Sequence, residues 1–183
     1  DILIHKKIKV CEIKAPYGYI KSDTCAFIDL ANDKIIDVYI ENEVKRGNVQ
    51  VRKLDSETKT AAQGSATFKG AEFTIYLNGE AKETLITDDE GISNLSKDYP
   101  IGTELKICET KAPDGYEERE NYCQYVIVKE NETLNLEFKN DVKKGFIRIY
   151  KRDLVSGDEL RGDSSFDGIE FILSAEGFED QKL

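Results

Sequence analysis

Lys53, Glu109 and Asn140 are the residues of this chain best suited to do chemistry together. Each continues a period-two alternation of apolar residues: Val49/Val51/Lys53, Leu105/Ile107/Glu109 and Leu134/Leu136/Phe138/Asn140. Every second side chain of a strand shares a face, so all three are expected inside. A buried ammonium and a buried carboxylate are each costly unless they pair or become neutral. Burial lowers a Lys pKa and raises a Glu pKa, so a proton passing between them leaves a neutral amine beside a neutral acid. That amine could attack Cγ of Asn140 while Glu109 polarises the amide and shuttles protons. Ammonia would leave, and an Nε-(γ-aspartyl)lysine isopeptide bond would remain. The reaction occurs once per fold and needs no cofactor. The competing reading is a Lys that snorkels near a strand end and a Glu that merely pairs with it, and parity alone does not choose between them. Asp141 is a rival acceptor only if the strand shifts by one residue, which would take its side chain off the core face.

The elements that position these residues repeat. Lys9-Val10-Cys11-Glu12-Ile13-Lys14-Ala15-Pro16-Tyr17-Gly18-Tyr19 matches Lys106-Ile107-Cys108-Glu109-Thr110-Lys111-Ala112-Pro113-Asp114-Gly115-Tyr116 at an offset of 97. The offset becomes 98 for Cys25 and Cys123, for the strand ending at Asn42 and that ending at Asn140, and for Val51–Asp55 and Ile149–Asp153. A unit about one domain long implies an array of beads. On this reading residues 46–143 are one complete unit, 1–45 the back part of another and 144–183 the front part of a third. The partial units carry the same parity, as Ile8/Val10/Glu12, Ile36/Val38/Ile40/Asn42 and Ile147/Ile149/Lys151. Neither piece could bury a core alone, so each is expected to be completed by neighbouring sequence or by neighbouring copies.

Helix-period stripes of useful length are absent. Short alternating runs separated by turn signals, such as Thr87-Asp88-Asp89-Glu90-Gly91, predict an all-β fold, an antiparallel sandwich or barrel of roughly 100 residues per unit. The charge balance is 26 Lys+Arg against 36 Asp+Glu, a formal net charge of −10, which disfavours nucleic acid as a partner. No apolar run approaches the roughly 18 residues of a membrane helix, and residues 1–20 lack the pattern of a secretory signal. One His, His5, with no Trp and no Met, leaves little for a multi-His metal centre or a His-based triad, and no metal or cofactor is expected.

Four Cys fall as Cys11/Cys25 and Cys108/Cys123, repeating with the unit. If Glu109 points inward, Cys108 points outward, and the parity of Val126/Val128 puts Cys123 outward too. Same-face Cys on neighbouring strands can bridge, which favours two disulfides within units; free thiols and intermolecular bridges are the alternatives. No CxxC pair argues for zinc. Arg161-Gly162-Asp163, a possible integrin-ligand tripeptide, is read as a solvated loop. Asp88-Asp89-Glu90 lacks EF-hand spacing and is read as a hairpin turn.

The Lys53-Leu54-Asp55 and Lys151-Arg152-Asp153 strands, Gly70-Ala71-Glu72-Phe73, the box Cys108 to Tyr116 and the closing Glu137-Phe138-Lys139-Asn140 resemble the collagen-adhesin B-type (Cna-B, SpaA-like) domain. The resemblance spans 46–143 fully and both partial units in part. It implies prealbumin-like Greek-key sandwiches of Gram-positive surface adhesins and pilins, many of which carry an autocatalytic Lys–Asn isopeptide bond. Carried over by motif, Lys53 is the nucleophile, Asn140 the acceptor and Glu109 the catalytic acid, while Glu12 and Asn42 belong to one cut unit and Lys151 to the other. Cys is sparse in such proteins, so the Cys pairs depart from the family pattern. The implied role is an extracellular stalk or pilus-like fibre segment on a bacterial cell surface, whose partners are neighbouring repeats or copies of the chain. Two alternatives are an adhesin binding host matrix or carbohydrate and a turnover enzyme using Glu109. The second is disfavoured because Glu109 sits on a core face with no second carboxylate in its motif.

Overall fold

The computed structural model describes residues 6–30, 35–175 and 179–183. His5 lies outside them. The chain divides into two units, residues 1–142 and 143–183. Among the described residues every regular element is a strand.

The described residues of the first unit form nine strands. β1 (Lys6–Cys11) and β2 (Cys25–Leu30) form an antiparallel hairpin in which Cys11 lies opposite Cys25. The remaining seven build two sheets. β3 (Arg46–Asp55) lies between β6 (Tyr99–Pro100) and β9 (Thr133–Asn140) in a three-stranded sheet. β4 (Glu72–Leu77), β5 (Glu80–Ile86), β7 (Glu104–Lys111) and β8 (Cys123–Ile127) form an antiparallel sheet in the order β5-β4-β7-β8. The apolar residues of the alternating runs pack together as one core. Val49 and Val51 of β3, Phe73 and Ile75 of β4, Ile107 of β7 and Phe138 of β9 are fully buried in it. Phe138 sits between the rings of Phe73 and Tyr122, with centroids 4.8 and 4.9 Å away.

The expectation of a wholly antiparallel fold needs one correction. β3 and β9 run parallel, in register from Asn48 opposite Thr133 to Asp55 opposite Asn140. Parallel neighbours need a long crossover, and here the whole second sheet supplies it. The arrangement brings the C-terminal ends of the first and last strands of the sandwich together.

Beyond its two-residue pairing with β6, the other edge of β3 is covered by the irregular segment 91–96. Lys53 N–H donates to Gly91 O (2.7 Å), while the N–H groups of Val49 and Val51 donate to the hydroxyls of Ser96 and Ser93, each at 2.9 Å. Both serines are buried, so these bonds satisfy edge donors that water cannot reach. Gly91 is required here. Its φ is +77°, and a Cβ would come within 2.7 Å of Lys53 O.

The partial units depart from expectation in burial. Residues 35–43 and 144–152 form no strand, Glu12 and Asn42 are half-buried, and Lys151 is exposed. Ile147 is 72% exposed, against 0% for Val49 at the matching position. Parity fixes which side chains share a face, but burial needs an opposing sheet, and among the described residues of 144–183 the only strands are β10 (Ile172–Leu173) and its partner β11 (Gln181–Lys182).

Candidate functional site

Lys53 and Asn140 are fully buried and Glu109 is 8% exposed, on β3, β9 and β7 respectively. The parallel register sets the first two beside each other, since Lys53 lies opposite Phe138, two residues before Asn140 on the same face. Glu109 reaches them from the other sheet, with Phe73 as its cross-strand neighbour. Asn140 Nδ2 donates to Glu109 Oε2 (2.6 Å) and to Glu117 O (2.9 Å). Lys53 Nζ donates to Leu54 O (2.9 Å) and lies 4.8 Å from the centroid of the Tyr116 ring. Two buried acceptor atoms, Glu109 Oε1 and Asn140 Oδ1, have no hydrogen-bond partner. A pair of unpaired acceptors beside a lysine is costly in a static core and useful in one where protons are to move.

The electrostatics follow from burial. Desolvation pulls the Lys53 ammonium down to about 8, against the opposing pull of the Glu109 and Asp55 charges. Desolvation likewise raises the Glu109 carboxyl, with the Asn140 hydrogen bond and Lys53 offsetting part of the effect. Both shifts favour the neutral amine and neutral acid that nucleophilic attack on an amide requires.

Two further residues frame the site. Asp55 is buried at the end of β3, where its Oδ1 accepts from the N–H groups of Glu57 (2.7 Å) and Thr58 (2.9 Å). Tyr116, also fully buried, donates its hydroxyl to Asp55 Oδ2 (3.1 Å). Burial alone would raise the Asp55 carboxyl, but these bonds and those from Gln63 hold it below the usual range. Tyr116 is delivered by the turn of the Ala-Pro-Asp-Gly-Tyr box, whose Gly115 has φ +84° and packs so closely that a Cβ would meet Ala66 Cβ at 2.5 Å. In the sequence alone neither Tyr116 nor Asp55 stands out as a site residue. The available signal was that Val51, Lys53 and Asp55 share one parity.

The rival acceptor points away: Asp141 is exposed and its carboxylate takes the Ser56 hydroxyl. In the first partial unit, Asn42 Nδ2 donates to Glu12 Oε2 (2.6 Å) and to Ile20 O (2.9 Å), matching Asn140 atom for atom. In the second unit, Lys151 Nζ donates to Arg152 O (3.3 Å) and Asp153 Oδ1 accepts from Val155 and Ser156 N–H, as Lys53 and Asp55 do. Among the described residues there are thus one assembled trio, one Glu–Asn pair and one Lys without such a pair beside it. Both Cys pairs are disulfides, Cys11–Cys25 and Cys108–Cys123. Cys108 lies on the face away from Glu109, as expected, but is only 8% exposed, because the disulfide and its cross-strand neighbour Thr74 cover it.

The weaker motifs are occupied. Arg161 pairs with Asp153 (3.0 Å), so the guanidinium of the Arg-Gly-Asp tripeptide is already committed. Asp88 Oδ1 accepts two backbone N–H groups of its own turn, and Asp89 pairs with Lys69 (2.9 Å). Among the described residues no group of three His, Cys, Asp or Glu is placed to hold a metal ion, and no helix is long and apolar enough to cross a membrane.

Residues 47–142 match the SpaA prealbumin-like fold domain, and the chain belongs to that family. Among solved structures, it is similar to the Bacillus anthracis TIE protein, with 26% identity and a TM-score of 0.58, over 73% of this chain and 24% of that one. It therefore spans about a quarter of that relative. BcpA, the major pilin subunit of Bacillus cereus, is 27% identical with a TM-score of 0.42, covering 56% of this chain and 33% of that chain. The C-terminal fragment of the pilus adhesin SpaC from Lactobacillus rhamnosus GG is 15% identical with a TM-score of 0.47, covering 80% of both. With TM-scores under 0.5, the last two are likenesses only. Among curated proteins no sequence matches.

Proposed function

We propose that this chain is a load-bearing segment of an extracellular stalk or pilus-like fibre on a Gram-positive cell surface, in which Lys53 and Asn140 become joined by a self-catalysed isopeptide bond. The observation that carries the reading is the burial of Lys53, Glu109 and Asn140 in one core, with Asn140 Nδ2 on Glu109. Lys53 Nζ attacks Asn140 Cγ, the Cγ–Nδ2 bond breaks, and Glu109 relays the amine proton to Nδ2 so that ammonia departs. Nothing is oxidised or reduced, and the only catalysis is on the chain itself. Family membership supports the surface role. On the same reading Glu12 and Asn42 await a lysine strand, and Lys151 awaits a Glu–Asn pair, from neighbouring repeats or neighbouring copies.

Pulling one chain between its ends tests the mechanical role. Force enters β3 at Arg46, crosses at Lys53 and leaves at Asn140, so residues 54–139 bear none of it. The native chain is expected to show no unfolding step for this sandwich. The Glu109→Ala chain should show one, a release on the order of 250 Å, since the Cys108–Cys123 disulfide keeps residues 109–122 from extending. An equal step in both chains would overturn the proposal.

A further inference from the structure

We propose that the Cys108–Cys123 disulfide is a positioning device for the crosslinking reaction: it closes the loop that presents Glu109 and Glu117 to Asn140 and Tyr116 to Lys53, so that oxidation of this pair precedes and accelerates bond formation. The inference rests on the reading above. Cys108 and Cys123 form the last paired positions of β7 and β8, and residues 109–122 run out beyond them as one excursion. Both groups that accept from the Asn140 side-chain amide belong to that excursion: Glu109 Oε2 at 2.6 Å and Glu117 O at 2.9 Å. So do the Tyr116 ring over Lys53 Nζ and the Tyr122 hydroxyl, which accepts from Lys139 N–H (3.1 Å) beside the acceptor residue. Glu109 is adjacent in sequence to the bridged Cys108, so the disulfide reinforces a backbone otherwise held by pairing with β4 and by the bond from Glu109 N–H to Tyr122 O.

The chain contains its own control. Residues 11–25 form the same disulfide-closed excursion, with Glu12 next to Cys11. There Glu12 Oε2 and Ile20 O hold Asn42 Nδ2 at the same 2.6 and 2.9 Å, although Glu12 and Asn42 are only half-buried and β1 pairs with β2 alone. The acceptor geometry therefore survives without a lysine strand and without a closed core. Both copies share the bridged loop, and in both its far limb is pinned to the closing segment by one backbone bond, Ile20 N–H to Glu43 O and Glu117 N–H to Asp141 O. A merely stabilising bridge could sit anywhere on neighbouring strands; these two bracket the residues that grip the reacting amide. The chemistry balances in two separate steps. Two thiols are oxidised by a small-molecule disulfide, which is reduced to two thiols. The amide exchange then proceeds with loss of one ammonia, unchanged in redox state.

The test uses the full chain assembled by chemical synthesis and ligation in denaturant with its thiols reduced, so that it has never folded and starts at its full sequence mass. It is folded with oxidised and reduced glutathione, and ammonia loss is followed by intact mass as a rate per folded molecule. The native chain is expected to react about tenfold or more faster than the Cys108→Val/Cys123→Val chain, since small misplacements of a reacting pair carry penalties of that size or larger. The Cys11→Val/Cys25→Val chain should match the native rate at Asn140. Rates within twofold for the native and Cys108→Val/Cys123→Val chains would overturn the inference, and no ammonia loss in the oxidised native chain would overturn the isopeptide reading beneath it. A second measurement does not depend on the valine chain folding. In a Lys53→Ala chain, which cannot react, selective reduction of the folded protein should speed hydrogen exchange of the Asn140 side-chain amide. Unchanged exchange would count against positioning.

Discussion

At the scale of the residue, the site is organised around the cost of Lys53. A pKa lowered from 10.5 to about 8 means that the buried ammonium costs the unreacted domain about 3 kcal/mol at neutral pH. Between about pH 8 and 10.5 the folded form has released this proton while the unfolded chain still holds it, so stability rises with pH across that window. Chemical denaturation of the Asn140→Ala chain should show that rise, and the native chain should lack it, because an amide nitrogen does not titrate. The reacting pair must share a single proton, so the rate of ammonia loss should fall above about pH 8, as a pH series of refolding would show. Tyr116→Phe removes one hydrogen bond to a buried carboxylate and should cost about 1.5–3 kcal/mol, measured by the shift in denaturation midpoint. Lys53, Glu109 and Asn140 were legible because ionisable or amide groups stood where the alternation demanded apolar ones. Asp55 and Tyr116 were less so, since their partnership joins β3 to a turn 61 residues away and depends on a tertiary approach that no spacing encodes.

At the scale of the element, the alternating runs gave the strands and their faces, while the structure groups residues 1–142 in one unit, across the boundary that the repeat places at residue 45. The direction of β9 was not legible. Period two is the same in parallel and antiparallel strands, so Leu134 to Asn140 reads alike in either direction. Direction is what matters here: in parallel register Lys53 and Asn140 both fall at C-terminal strand ends, two residues out of step and on one face. The cover of β3 by segment 91–96 was also hidden, because Ser93 and Ser96 read as turn residues until their hydroxyls are seen accepting from Val49 and Val51. Gly91→Ala tests that cover. It forces a side chain into positive φ and against Lys53 O, displacing the strand that carries Lys53. A loss of about 1–3 kcal/mol in stability and slower ammonia loss on refolding are expected together. The partial units show the limit of pattern reading: their parity is intact, but without a facing sheet Ile147, Ile149 and Lys151 remain outside.

At the scale of the whole molecule, a bond between β3 and β9 would close a loop of roughly 90 residues. By analogy with disulfides, the lost unfolded-state entropy is worth about 4–5 kcal/mol. Its larger consequence is kinetic, since a sandwich tied at its first and last strands cannot extend even when its core yields. The disulfide between β7 and β8 ties the other sheet, so each sheet would carry one covalent link. Protease exposure under mild denaturant should separate the native chain from Asn140→Ala, with the native sandwich surviving longer. The most direct measurement is the intact mass of the purified, reduced chain beside that of Glu109→Ala. An isopeptide bond requires the native chain to weigh one ammonia less than its sequence and the Glu109→Ala chain to weigh its full sequence mass. Full sequence mass in both would mean that Lys53 and Asn140 lie buried together without ever reacting.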